Sequence, residues 1–207
     1  MVLVVVALVA GAAVGLAVGG RPRHLDTHPV AWPWLLAAGV LLEVVAGRWH
    51  LPGGSAWATV AGGACLFGFA LRNIVLTGMG IVAAGLLVNL AVIGLDRGMP
   101  VDPGAVVSAG ITVPAALPGV RYGPTHHRQA TGDHLLALDD RLPIPPAHVV
   151  VSLGDVILAA GIADVVAHLL QPRPRYAPRA RFWRPGPPAA DETPRTLPGS
   201  RPSGRRP

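Results

Sequence analysis

Long blocks with very few charged residues are the feature that most constrains how this chain folds. Each block is close to the ~20 apolar residues that a helix needs to cross a bilayer. Only 14% of the 207 residues are charged, whereas soluble domains average roughly 25%. The pattern predicts an all-α, multi-pass transmembrane helical bundle of about five spans. The predicted spans are residues 2–19, 30–47, 55–71, 74–95 and 148–170.

The arginines indicate how these spans would be oriented, because cytoplasmic segments of membrane proteins carry the excess of basic residues. All 17 basic residues are Arg. With the N-terminus outside, twelve of them lie on the cytoplasmic side and five lie outside. We therefore predict a multi-pass plasma-membrane protein with a cytoplasmic C-terminus. Residues 96–147 would form a long extracytoplasmic loop.

The first block has an alternative interpretation as a cleaved signal peptide. Ala17 and Gly19 resemble the small residues of a cleavage site. A signal peptide, however, carries positive charge before its apolar stretch, and here Arg21 and Arg23 follow the stretch instead. This polarity favours a retained first span.

Residues 104–120 are also uncharged and could be surface-lying, re-entrant or spanning. A sixth span would move the basic tail outside, against the arginine bias. Pro114 and Pro118 oppose a regular helix. We predict instead a short helix that Asp102 caps, with Pro103 at its first position.

The chain ends in a basic segment, residues 171–207, with ten Pro and nine Arg. Such a segment cannot bury enough apolar surface to fold, so we predict a disordered cytoplasmic tail. It would either stop translocation only or also contact anionic lipids. Because the excess positive charge of the chain is concentrated there, we expect no nucleic-acid partner.

Small residues recur every four positions in the first block, at Gly11, Gly15 and Gly19. In a bilayer, such stripes let helix backbones approach closely. The stripe has two interpretations, packing within the chain or a homo-oligomer.

Polar residues within the predicted spans are candidate site residues, because an ionisable group in a bilayer usually faces a partner or a cavity. Glu43, Asn89 and Asp155 would all lie roughly 6 to 10 Å below the outer surface. They predict a shared binding cluster, with Asp140 in the loop that covers it. The alternative is that each group only holds neighbouring helices together.

Asp164 and His168, four residues apart, predict a second polar pair near the inner surface. Among loop residues, His126, His127, Asp133 and His134 have the side chains of metal ligands, but their spacing matches no known ligand pattern. The sequence also lacks a P-loop, a Gly-rich dinucleotide motif and HExxH. We therefore expect no metal and no cofactor.

Several short motifs occur in order along the chain. They are Leu71-Arg72-Asn73, Gly78-Met79, Asn89, Gly98-Met99-Pro100-Val101, His127-Arg128, Leu138-Asp139-Asp140 with Pro143 and Pro145, and Val151-Ser152-Leu153-Gly154-Asp155. Together these motifs resemble a family of bacterial multi-pass integral membrane proteins of unknown function. The resemblance covers roughly residues 1–170 and implies a multi-pass membrane fold without implying an activity. Where that family often carries Asn-Gly before Met-Pro, this chain has Asp96-Arg97-Gly98.

Two classes of function remain open at the level of sequence. The first is an accessory or small-ligand or ion-binding component of the envelope, built on the polar cluster. The second is a small membrane enzyme that acts on a lipid or envelope precursor and uses Asp140 or Asp155 with a loop histidine. The lack of an internal repeat disfavours a monomeric transporter.

Overall fold

The helices account for most of the structure, a computed structural model that describes residues 2–48 and 55–172. Its α-helices are α1 (Val2–Ala17), α2 (Pro33–Arg48), α3 (Ser55–Arg72), α4 (Met79–Asp96), α5 (Pro103–Ser108) and α6 (Leu153–Leu169). Its strands are β1 (Met99–Val101), β2 (His126–Arg128), β3 (Leu142–Ile144) and β4 (Val149–Val151). Short 3-10 helices cover Pro22–Thr27, Pro114–Gly119 and Pro145–Ala147.

The five long helices pack side by side in the spatial order α2, α3, α4, α6, α1. A core of buried apolar side chains lies between α3, α4 and α6, and includes Phe69, Leu86 and Val165. Helix α6 lies between α4 and α1, so the last helix of the described residues packs against the first.

Glycines let α6 approach its two neighbours closely. A Cβ atom at Gly85 of α4 would lie 2.5 Å from the backbone nitrogen of Leu158, and one at Gly15 of α1 would lie 2.9 Å from the carbonyl oxygen of Ala167. Gly11 likewise faces the backbone of Ala163. Gly11 and Gly15 are thus used for packing within the chain, whereas Gly19 lies beyond α1 at φ +86°. A homo-oligomer through this stripe stays a prediction.

Residues 97–152 fold into a cap at the junction of α4 and α6. Strand β1 pairs in parallel with β2, and Val101 also bridges to Asp140 on its other side. Strands β3 and β4 form an antiparallel pair directly before α6. The predicted short helix is confirmed as α5, since Asp102 is its N-cap, accepts a hydrogen bond from the Gly104 N–H, and precedes Pro103.

The prediction of an all-α bundle of five membrane spans is wrong. Among the residues described, one helix, α4, is both long and apolar enough to cross a membrane, and the cap contains strands. Helix α1 is apolar, but its 16 residues extend only about 24 Å, less than the ~30 Å of a hydrocarbon core. The fifth block, 148–170, divides into β4, a capping residue and a helix of 17 residues.

Two further predictions concern chain that the structure does not describe. The tail is described only as far as residue 172, so its predicted disorder and its contact with anionic lipids lie outside the described residues.

The arginine-bearing linker between α1 and α2 is described. Arg21, which caps the Pro22–Thr27 helix, donates its N–H to the Leu170 carbonyl at the end of α6 at 2.7 Å.

Candidate functional site

The start of α6 is fixed by a reciprocal pair of hydrogen bonds between Ser152 and Asp155. The Asp155 N–H donates to the Ser152 hydroxyl oxygen at 3.0 Å, and the Ser152 N–H donates to Asp155 Oδ2 at 3.5 Å. This is a capping box, which satisfies N–H groups that have no partner inside the helix. It also holds the Asp155 carboxylate at the N-terminal end of α6, next to the cap.

Asn89 of α4 connects to both of these residues. Its Nδ2 donates to Asp155 Oδ1 at 2.7 Å, and the Ser152 hydroxyl donates to its Oδ1 at 3.1 Å. The close approach requires Gly154, because a Cβ atom there would overlap Asn89 Oδ1. Asn89, Ser152 and Asp155 thus form one closed network across the α4–α6 contact. The network orients the carboxylate and leaves Asp155 Oδ2 only weakly bonded.

A cavity of about 200 Å³ lies next to this network. Its polar wall contains Asp155, Asp140 and His126, and the rest of its wall is mostly apolar. The other lining residues are Val2, Leu3, Val4, Val149, Val150, Val151, Leu158 and Ala159. The first turn of α1, the first two turns of α6 and the cap therefore line one space, and two carboxyl groups belong to its lining.

Asp140 is held rigidly on the cap side of the cavity. Its N–H donates to the Pro100 carbonyl at 3.0 Å, and its own carbonyl accepts from the Asp102 N–H at 2.9 Å. The side chain is 7% exposed, and its Oδ2 lies 3.4 Å from Nε2 of His126, whose side chain is 42% exposed. His126 reaches this position because β2 pairs with β1 in the register Met99 to His126.

Burial raises the pKa of Asp140 to about 8, and the negative charges of Asp155 and Asp139 add to the rise. Burial also lowers the pKa of His126, an effect that exceeds the opposite influence of Asp155. Both shifts have the same physical origin, since a poorly solvated site disfavours the charged form of each group. Near pH 7 Asp140 is therefore mostly protonated.

The loop histidines are distributed over separate carboxylates. Besides the His126–Asp140 pair, His127 Nε2 lies 3.3 Å from Asp133 Oδ1, and His134 Nδ1 lies 2.9 Å from Asp96 Oδ1. In the part of the chain that the structure describes, no three His, Cys, Asp or Glu side chains converge as a metal site would require. The pairs instead fasten the cap to itself and to the end of α4.

Asp139, next to Asp140, has a fully buried side chain. Its Oδ2 accepts from Gln129 Nε2 at 2.9 Å, and its Oδ1 lies 4.0 Å from Nε of Arg141. Burial raises the pKa of Asp139, while the Arg141 guanidinium opposes the rise. This side chain supports the cap from within, and it does not line the cavity.

The structure brings together three of the four candidate binding residues that the sequence singled out. Asn89 and Asp155 are hydrogen-bonded, and Asp140 lines the same cavity as Asp155. Glu43 lies elsewhere, with Oε1 against α3 at Gly62 and Gly63. Within the described residues it has no hydrogen bond to Asn89 or Asp155. The equal depth predicted for Glu43, Asn89 and Asp155 was therefore not enough to predict which of them are in contact.

The second predicted pair, Asp164 and His168, is in contact, with Nδ1 of the imidazole 3.1 Å from Asp164 Oδ1. Sequence reasoning missed one residue of the site, Ser152, which could have been found because Ser three residues before Asp is a capping signal. For the histidine it proposed only that some loop histidine acts with Asp140 or Asp155. No local signal singled out His126, because only the pairing of β1 with β2 brings it to the cavity.

The fold and this site define a mostly helical protein in which a strand-containing cap closes over a carboxylate-lined cavity. The chain belongs to a family of unknown function, DUF5317, whose model matches residues 27–167. The matched range contains Asn89, His126, Asp140 and Asp155, but it excludes α1. No curated protein and no solved structure matches the chain. The predicted membership of a family of unknown function is confirmed, and its membrane nature stays a prediction.

Proposed function

We propose that this protein is a membrane-resident binding protein that takes a small organic cation into the cavity under the cap. The observation that carries the proposal is that the carboxyl groups of Asp140 and Asp155 both line one cavity whose other lining residues, apart from His126, are apolar. Negative charge in such a site is costly unless a cation or a hydrogen-bond donor compensates it. A ligand that brings positive charge would do so.

The size and lining of the cavity favour an ammonium compound over a bare metal ion. Its volume equals that of about six or seven water molecules, taking ~30 Å³ for each. An ammonium head could donate to Asp155 Oδ2 and to Asp140, while a short alkyl body contacts Val2, Val150 and Leu158. Small-molecule sites commonly combine an apolar lining with a few polar groups in this way.

Membrane residence is supported by the side chains that the helices leave exposed. Apolar residues on α1 and α2 remain open to the surroundings, among them Val5, Val9 and Leu41. Soluble monomers rarely expose contiguous apolar surface on this scale. The arginine bias of the sequence supports a cytoplasmic position for the end of the molecule opposite the cap.

The test is calorimetric titration of the purified full chain in neutral detergent with a series of alkylammonium ions. We expect saturable binding that is lost in Asp155→Asn and kept in Asp164→Asn, a matched change on the same helix. Because a bound cation favours the ionised form of Asp140, binding should release protons, seen as a heat that depends on the buffer. Equal affinity of Asp155→Asn and the natural chain would refute the proposal.

The membrane location has its own test. After alkaline carbonate extraction of cells that express the chain, we expect the protein in the membrane pellet. Release into the supernatant would contradict membrane residence. It would not affect the test of the cavity, which depends on the ammonium titration alone.

A further inference from the structure

The end of the molecule opposite the cap carries a rigid junction between the α1–α2 linker and α3. The Asn73 side chain, 2% exposed, accepts from the Ala31 N–H at 2.8 Å and donates to the Ala31 carbonyl at 2.9 Å. It also donates to the Phe69 carbonyl of α3 at 2.9 Å. These three bonds hold the residue that follows Ala31 in a fixed position at the end of α3.

That residue is Trp32, and it belongs to a pre-formed aromatic cluster. Its ring stacks on that of Trp34, with ring centroids 5.9 Å apart. The guanidinium carbon of Arg72 lies 5.5 Å from the Trp32 ring centroid, within the range of a cation–π contact. Trp32 has a φ of +55°, an uncommon backbone conformation that the Asn73 bonds support. Both tryptophans are nonetheless about half exposed or more.

Apolar side chains of the α3–α4 turn extend this cluster. Ile74 is half exposed, and Val75 is 86% exposed. We call Trp32, Trp34, Arg72, Ile74 and Val75 the Trp–Arg face. Within the described residues, Arg72 forms no salt bridge. The face therefore presents aromatic rings, aliphatic groups and one cation whose charge no carboxylate of the described chain neutralises.

The side of α2 that carries Trp34 is apolar. Leu41 follows Trp34 by seven residues, about two turns of the helix, and is 63% exposed, so it lies on the same side of α2 as Trp34. From Leu41 to Trp34, Trp32 and then Arg72, the exposed side chains change from aliphatic to aromatic to cationic. A bilayer changes in the same order from hydrocarbon through the interface to the headgroups, where Trp and Arg are favoured.

We propose that the Trp–Arg face sits in the interfacial region of a bilayer leaflet that contains anionic lipid, with Arg72 binding a phosphate headgroup. This inference shares membrane residence with the proposed function and is independent of the cavity. Charge complementarity favours an anionic lipid, since Arg21 and Arg23 lie in the linker that precedes the face and Asp26 is the one acid of that linker.

The experiment measures quenching of Trp32 and Trp34 by brominated lipids. The full chain carries Trp49→Phe, Trp57→Phe and Trp183→Phe, so that the emission comes from the face alone. It is reconstituted in vesicles with either brominated phosphatidylglycerol or brominated phosphatidylcholine, over the same series of mole fractions. We expect both lipids to quench, and phosphatidylglycerol to reach half-maximal quenching at a roughly fivefold lower mole fraction, the effect of one Arg near an anionic surface.

The charge of Arg72 is tested against that of Arg48, an exposed arginine at the opposite end of the helices. Arg72→Gln should abolish the preference for phosphatidylglycerol, whereas Arg48→Gln and Arg72→Lys should keep it. Equal quenching by the two lipids in the parent chain would overturn the headgroup contact. Absence of quenching by either lipid would overturn the location of the face, and a crosslink between copies carrying Val75→Cys would then assign it to a second copy.

The result separates this inference from the proposed function. The ammonium titration is done in detergent and depends on Asp155, so it can succeed while the tryptophans remain unquenched. Conversely, a preference for phosphatidylglycerol that is lost in Arg72→Gln supports the membrane contact of the Trp–Arg face even when no ammonium ion binds.

Discussion

Replacing Asp140 by Asn tests the electrostatics of the cavity most directly. The carboxyl has an ordinary pKa of 3.8, which burial and the nearby carboxylates raise to about 8 in the folded protein. Between these two values the folded state binds more protons than the unfolded state, so stability must fall as the pH rises. An amide has no proton to lose, and Asp140→Asn should therefore lack this part of the pH dependence.

The size of the effect follows from the two pKa values. One pKa unit corresponds to about 1.4 kcal/mol, so the contribution of Asp140 to stability should fall by about 4 kcal/mol between pH 5 and pH 9. The fall should level off above pH 8, where the folded protein is ionised as well. A change of this size corresponds to a melting-temperature difference on the order of 10 °C for a chain of this length.

The assay compares thermal unfolding of the natural chain and Asp140→Asn in the same detergent at several pH values. The difference between the two curves removes most of the contribution of other titrating groups, including His126. Infrared spectroscopy of the folded protein should show the C=O stretch of a protonated carboxylic acid at pH 7, absent from Asp140→Asn. In Asp155→Asn this C=O stretch should disappear at a lower pH, because the Asp155 charge contributes to the raised pKa of Asp140.

Parallel melting curves of the natural chain and Asp140→Asn from pH 5 to pH 9 would refute this reasoning. They would mean that water or a cation solvates Asp140 in the folded protein, and that the cavity is more polar than its lining indicates.

Three further changes test the packing, two at the site and one at the opposite end of the helices, and each is measured as the free energy of unfolding. Gly85→Ala should destabilise the protein by about 1–3 kcal/mol, because the added Cβ would meet the Leu158 backbone. The control is Gly94→Ala in the same helix, which has open space around it and should stabilise the protein by up to ~1 kcal/mol. Equal effects of the two changes would contradict the α4–α6 contact. Asn89→Ala should cost about 1–3 kcal/mol, because Asp155 loses a donor and Ser152 an acceptor; a silent change would show that water replaces the amide. Asn73→Ala should cost a similar ~1–3 kcal/mol and make Trp32 more accessible to acrylamide, and unchanged accessibility would remove the role given to the Ala31 bonds.

Helix positions were largely predictable from the sequence, but helix ends were not. The fourth block was predicted to begin at residue 74, whereas α4 begins at Met79 after Gly78, whose φ is +90°. The intervening residues are turns that depend on the Asn73 bonds, and apolarity alone does not reveal them. The start of α6 was readable, since Ser152 and Asp155 have the spacing of a capping box. The predicted spans were too long because they were drawn from runs of apolar residues and not from the capping residues at the helix ends.

The cap was not predictable from local sequence. Its strands have three residues each, too short to show the alternation that identifies a strand. Strand β1 pairs with a segment more than twenty residues away, and such pairing is set by tertiary packing. For this reason Asp140 could be assigned to the region above the polar cluster, while the contact of His126 with it could not.

The same backbone contact that holds α4 against α6 also creates the polar site. Gly85 on α4 and Gly161 on α6 allow the two backbones to meet, and Gly154, about two turns before Gly161, makes room for Asn89. Asn89 can reach both Ser152 and Asp155 only at this separation, so the hydrogen-bond network depends on glycines that carry no chemistry themselves. The network fixes one carboxylate, and the strand pairing of the cap fixes the other. A ligand that bridges Asp155 and Asp140 would therefore join the helices to the cap, and its binding energy would appear as resistance of the cap to local opening.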